Sequence, residues 1–226
     1  MNLTEMIRRA VELVPEVKQY LDDAVLNMLA DVKSYDYYGG RLEKYAGDYY
    51  SGKINDTEFL DRMIGMVSSQ LRKAWNEGMR ENGLDPSRDM NSQWAATLQG
   101  IVNSEYNHIT DLADFINQQR SAMAGTDAIM QRVGLWQNRY IDVTNQAIIE
   151  TAKKDDLYEW QFGNTEKHCD TCLALNGVIA PMVEWDERGL HPQNPPNGSL
   201  QCGGWQCDCR FVKSDGPITE GGIPNV

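Results

Sequence analysis

The sequence predicts an α+β protein that is predominantly α, with a long-helix N-terminal part followed by a small cysteine-rich β module. Three observations lead there. Apolar residues recur at steps of three and four through most of the first 150 residues, the period of one helix face. After Lys153-Lys154-Asp155-Asp156 the texture changes to an alternation of aromatic and polar residues. All five cysteines fall within the last 58 of the 226 residues. The expected organisation is a helical interaction domain over 1–156, a cysteine-rich β module over 157–213 and an extended tail over 214–226.

The first helix is expected from Thr4 to about Tyr35, because Ile7, Val11, Val14, Val17, Leu21, Val25, Met28 and Val32 share one face. Pro15 removes a backbone donor inside that pattern and predicts a kink near Val14 or two abutting helices. Tyr35 to Gly40 reads as a break, followed by a short helix over Leu42 to Tyr50 that Ser51 and Gly52 end. Asn55 with Glu58 three residues on has the form of a capping box, and Leu60, Met63, Val67, Leu71, Ala74 and Gly78 continue it as a helix that Gly83 can close. A long helix from Ser87 or Asp89 to Gln119 carries Trp94, Leu98, Ile101, Glu105, His108, Leu112 and Phe115 on one stripe. The cleanest helix starts after Gly125 with Thr126 as its cap, aligning Ile129, Val133, Trp136, Tyr140, Val143 and Ala147.

Leu157 to Phe162 reads as a strand, and Asn176-Gly177 between apolar stretches is a hairpin turn signal. Pro192, Pro195, Pro196, Gly198, Gly203 and Gly204 give the next span a loop composition that buries little apolar surface by itself and therefore needs a staple. Gly216, Pro217, Gly221, Gly222 and Pro224 predict a tail that becomes ordered against a partner.

Composition narrows the function classes. Lys plus Arg number 21 against 33 Asp plus Glu, a net charge of −12, which argues against a broad nucleic-acid-binding surface. No run approaches the roughly 18 uncharged apolar residues of a membrane span, and Glu5, Arg8, Arg9 and Glu12 occupy the place of a signal peptide's apolar core. The expectation is a soluble protein that is not exported.

Cys169-x-x-Cys172 is separated by 29 residues from Cys202-x4-Cys207-x-Cys209. Two soft ligands on one turn and a choice of three at the other end suit a structural tetrahedral zinc that joins the halves of a small domain. The preferred ligands are Cys169, Cys172, Cys202 and Cys207, with Cys209 and His191 as substitutes. Disulfides with a spare thiol are the alternative, since five is odd, and five reduced, unligated thiols are a third. The H-x-E plus P-C-x-x-C pattern of zinc deaminases is absent, as are Gly-rich phosphate loops and H-E-x-x-H.

The remaining candidates have plain readings. His168 adjoins Cys169, but neighbours in an extended segment point to opposite faces. His108 fits the rim of a helix, Asp22-Asp23 and Asp155-Asp156 fit solvated faces, and Trp75, Trp94 and Trp136 fit interhelical packing. No catalytic constellation emerges, so the expectation is a protein that is not an enzyme.

Tyr140 to Arg210 resembles a known family. The matching pieces come in order: a helix end at Asn145-Gln146-Ala147-Ile148-Ile149-Glu150-Thr151-Ala152, an aromatic strand with Trp160, and Cys169-Asp170-Thr171-Cys172-Leu173-Ala174-Leu175-Asn176-Gly177. A segment with Trp185, a Pro-rich loop and Cys207-Asp208-Cys209-Arg210 follow. This order resembles the Mu F-like minor head, or head morphogenesis, proteins of tailed bacteriophages. The family often has Thr before Glu where this chain has Glu150-Thr151, and commonly a His before the last Cys-x-Cys where this chain has Cys202-Gly203-Gly204-Trp205.

The resemblance covers about a third of the chain, and nothing in residues 1–125 matches a named motif. It implies a virion protein of the phage head, associated with the portal vertex, acting in head assembly or DNA delivery and residing in the host cytoplasm during assembly. Its partners would be the portal or major capsid protein, with several copies in the assembly and no membrane. The alternatives are a toxin or hydrolase effector built on the cysteine module, and a zinc-dependent adaptor.

Overall fold

The computed structural model describes residues 35–163, 167–205 and 207–226. The helix expected from Thr4 onward, with its interruption at Pro15, lies outside them up to residue 34. Among the described residues the protein is predominantly helical, with a small three-stranded antiparallel sheet and a cysteine cluster towards the C-terminus.

The first described helix, α1 (Tyr35–Tyr50), begins where the sequence suggested a break. Tertiary packing overrides the poor helix propensity of Gly39 and Gly40. Tyr38 is fully buried, Tyr35 meets the Tyr140 ring edge-on at 5.9 Å, and Gly39 lies so close to Gln137 that an added Cβ would come within 2.7 Å of its amide. Helix α2 (Asp56–Glu81) starts with the expected capping box, in which Asn55 Oδ1 accepts from Glu58 N and Glu58 Oε2 from Asn55 N, both at 3.0 Å. Gly83 follows it with φ +76°, the left-handed conformation that needs no Cβ.

The next expected helix is divided in two. Asp85 caps a single turn, α3 (Pro86–Asp89), and Asp89 folds back to accept from Asp85 N at 2.7 Å. Met90 is non-helical and Asn91 caps a fresh start at Trp94 N, 2.9 Å away, so α4 runs Ser92–Ser121. Local side-chain caps compete with the continuous helix and win at this boundary.

Helix α5 (Asp127–Thr151) buries all six residues of its expected stripe, from Ile129 to Ala147. Thr126 occupies the cap position without a side-chain hydrogen bond. The buried faces of α1, α2, α4 and α5 form one apolar core that includes Phe59, Trp75, Leu98 and Trp136.

The sheet has strand order β2-β1-β3, with β1 (Leu157–Gln161) central and antiparallel to β2 (Ile179–Pro181) and β3 (Arg210–Lys213). Tyr158 pairs with Ala180 and Trp160 with Phe211, which puts their side chains on the buried face. Asn176-Gly177 is not a two-residue hairpin: a short helix, α6 (Asp170–Leu175), stands between β1 and this turn. Gly177 has φ +81° and its N–H donates to Trp160 O at 2.8 Å, so the turn ends α6 and returns the chain to β1. Helix α7 (Met182–Glu187) follows β2.

The C-terminal tail is a correction to the sequence reading. It docks on its own module rather than waiting for a partner: Thr219 N donates to Ile179 O at 3.0 Å, Ile179 N donates to Thr219 Oγ1 at 2.8 Å, and Ile223 is buried. Arg188 Nη1 donates to Ile223 O at 2.8 Å. The free edge of β2 offers backbone groups that a Gly-rich segment can satisfy.

Candidate metal centre

Beneath the sheet lies a second apolar core in which Trp160, Trp185, Phe211 and Tyr158 pack together. Trp160 and Trp185 are 5.8 Å apart by centroid, and Phe211 meets Trp160 edge-on at 5.7 Å. Each fully buried aromatic contributes about 1.5–3 kcal/mol. The loop from Arg188 to Cys209 buries only a few apolar residues, such as Leu190 and Leu200, while ordering it costs about 1–2 kcal/mol per residue of backbone. That imbalance is what a covalent or metal staple would offset.

Three segments bring the cysteines together. Cys169 is the N-cap residue of α6 and Cys172 sits one turn on, so the Cys-x-x-Cys spacing places both sulfurs on one side. Cys202 arrives from the Pro-rich loop, pinned beside α6 because Gln201 Oε1 accepts from Asp170 N at 2.7 Å and Gln201 N donates to Thr171 Oγ1 at 3.1 Å. Cys207 and Cys209 lead into β3. Asn145 of α5 holds Cys209 by its carbonyl, and Gln193 holds Cys207 in the same way.

The sulfurs of Cys169, Cys172 and Cys202 lie within 4.8 Å of one another, and so do those of Cys172, Cys207 and Cys209. Cys172 belongs to both groups. All five thiols are free, and no two stand at disulfide distance. Cys172, Cys207 and Cys209 are buried, whereas Cys169 and Cys202 are partly exposed.

The cluster's electrostatics differ from sulfur to sulfur. Cys209 is lowered to about 4, first by thiol hydrogen bonds from Cys172 and Cys207, against the opposing effect of burial. Cys172 is strongly raised, by its thiol contacts to Cys207 and Cys209 and by burial. At Cys169 burial raises the pKa, but the backbone groups of Cys172 and Cys202 and their thiols outweigh it, so the net direction is down. Burial pushes Cys202 up to about 11.

These groups can hold a metal ion. The donor set is entirely sulfur, as soft metals prefer. Trp160 Nε1, fully buried, lies near enough to Cys209 to favour its thiolate.

Of the four ligands preferred from sequence, Cys169, Cys172 and Cys202 fall in one group, and Cys207 joins Cys172 and Cys209 in the other. Cys209, ranked only as a substitute, is as much part of the cluster as Cys207. The signal was present, because alternate residues of an extended segment face the same way. His191, the other substitute, is outside both groups, its Nε2 3.1 Å from Asp186 Oδ1. His168 stacks face to face on Phe162 at 3.7 Å.

A cleft of about 630 Å³ separates α4 and α5 from the Pro-rich loop, with Trp136 and Trp205 in its walls. Buried Glu105 accepts from Trp136 Nε1 at 2.9 Å and from Arg139 Nε at 3.1 Å. Arg139 also pairs with buried Asp142, whose other oxygen accepts from Asn194 N at 2.8 Å. His108, on the rim, is exposed. No family model, curated protein or solved structure matches the chain.

Proposed function

We propose that this protein is a minor head component of a tailed bacteriophage: a non-catalytic interaction protein at the portal vertex, acting in head assembly or DNA delivery. The observation that carries this reading is spatial. The separated pieces that resemble the Mu F-like family converge on one core: the end of α5 with Ile148, β1 with Trp160, Cys172, Trp185, and Cys207 with Cys209. A resemblance spread over 71 residues of sequence, Tyr140 to Arg210, thus becomes a single packed module, which chance similarity of isolated motifs does not require.

Zinc is the metal that best suits the cluster in this reading. A thiolate-rich, largely buried site favours a structural ion, and its binding energy is then folding energy for the Pro-rich loop. The helices, joined to the module through α5, would supply the surface for a portal or capsid partner, in several copies within the phage head. No helix among the described residues is long and apolar enough to cross a membrane.

The test is genetic and biochemical. Heads purified from the phage that encodes the chain should contain it at low copy by quantitative mass spectrometry, and a nonsense mutation should yield heads that are defective in assembly or DNA delivery. Its absence from heads, with normal heads from the mutant, would overturn the assignment.

A further inference from the structure

We infer that the five cysteines form a two-metal cluster in which the Cys172 thiolate bridges a pair of soft metal ions. This rests on the reading that the cysteines carry metal and specifies how. A single tetrahedral four-sulfur site needs its sulfurs all about 3.8 Å apart, given metal–sulfur bonds near 2.3 Å. The sulfurs instead gather in two groups of three, each within 4.8 Å, with one member in common. One ion for each group accounts for every cysteine in the chain, including the odd one that a four-ligand site or paired disulfides would leave over.

The position of Cys172 suits a bridge. It is the only one of the five that lies within a helix, it is completely buried, and it stands between the partly exposed pair Cys169 and Cys202 and the buried pair Cys207 and Cys209. A bridging thiolate shares its charge between two cations, so the extra negative charge of five clustered thiolates is better compensated than around a single ion. Each ion then has three sulfur ligands, the outer group's Cys169 and Cys202 being partly exposed and open to a water ligand, while the three sulfurs of the inner group are all buried.

The experiment uses the full reduced chain loaded with cadmium-113, a spectroscopic substitute for zinc. Two ions per chain are expected, giving two NMR resonances in the sulfur-rich range, each split by coupling to the other through the shared sulfur. A chelator should remove the outer ion first. Cys202→Ser and Cys209→Ser should each lower the stoichiometry from two to one and abolish the splitting, and both keep Cys172, so their folding does not depend on losing the bridge. Saturation at one ion with a single resonance would overturn the two-metal cluster while leaving a metal-stapled module intact. Failure to bind any ion would overturn the metal reading itself.

Discussion

Asn145 grips the strand that carries Cys209 on both sides: its Nδ2 donates to Cys209 O at 3.0 Å and its Oδ1 accepts from Phe211 N at 3.0 Å. Asn145 is itself buried in α5, so the helix sets the position of Cys209 and of the start of β3 through one amide. Asn145→Leu removes both hydrogen bonds and leaves a carbonyl and an N–H without partners. The expected loss is about 2–4 kcal/mol in urea unfolding, together with weaker metal retention. A loss below about 0.5 kcal/mol would mean that the strand holds itself in place.

Two glycines of α2 should respond in opposite directions. At Gly78 an added Cβ would lie 2.4 Å from Thr144 O and 2.7 Å from Ala147 Cβ, contacts that α5 cannot yield without shifting its backbone. Gly78→Ala should destabilise by about 1–3 kcal/mol. Gly65 faces open space within the same helix, and Gly65→Ala should stabilise by about 0.5–1 kcal/mol. Thermal unfolding of the two variants beside the parent protein checks the pair.

Cys172→Ser should loosen the module without melting the helices. Protease sensitivity and hydrogen exchange should rise between Arg188 and Cys209, while far-ultraviolet dichroism keeps its helical signal. Equal loosening of α2 and α4 would show that the four-helix core depends on the cluster for its stability.

Lys213 Nζ lies 2.7 Å from Asp156 Oδ2, joining the end of β3 to the entry of β1. That hydrogen bond, more than the charge itself, holds the Asp156 pKa below its ordinary value near 3.8. A carboxylate lowered on folding contributes stability above its unfolded pKa and loses it as pH falls through the folded one. Lys213→Met should therefore cost about 0.2–1 kcal/mol at pH 7 and progressively less below pH 4. A cost that does not change with pH would assign the effect to packing of the lysine stem.

The strongly periodic parts of the chain are legible in the sequence. Ile129 to Ala147 repeats cleanly enough to specify α5 and its buried face, and Asn55 with Glu58 announces α2, because both signals are local. The failures share a different cause. Tyr35 to Gly40 is helical because Tyr38 and Tyr35 find Tyr140, a partner more than 100 residues away that propensity cannot register. Asn176-Gly177 carries turn chemistry equally suited to a hairpin and to a helix end, and only the position of Cys172 inside α6 decides between them. The tail looks unsupported in sequence because its support, the open edge of β2, is a product of the fold. At the cluster, spacing identified the cysteines, but their division around Cys172 depends on where three separate segments meet.

Ala147 belongs to the helical core and its neighbour Ile148 to the core beneath the sheet, so a single helix passes between them without a joint. A 25-residue helix is about 37 Å long and bends little over that distance. With no break in the helix between the two cores, the orientation of the bundle and that of the strand carrying Cys209 are set together by α5.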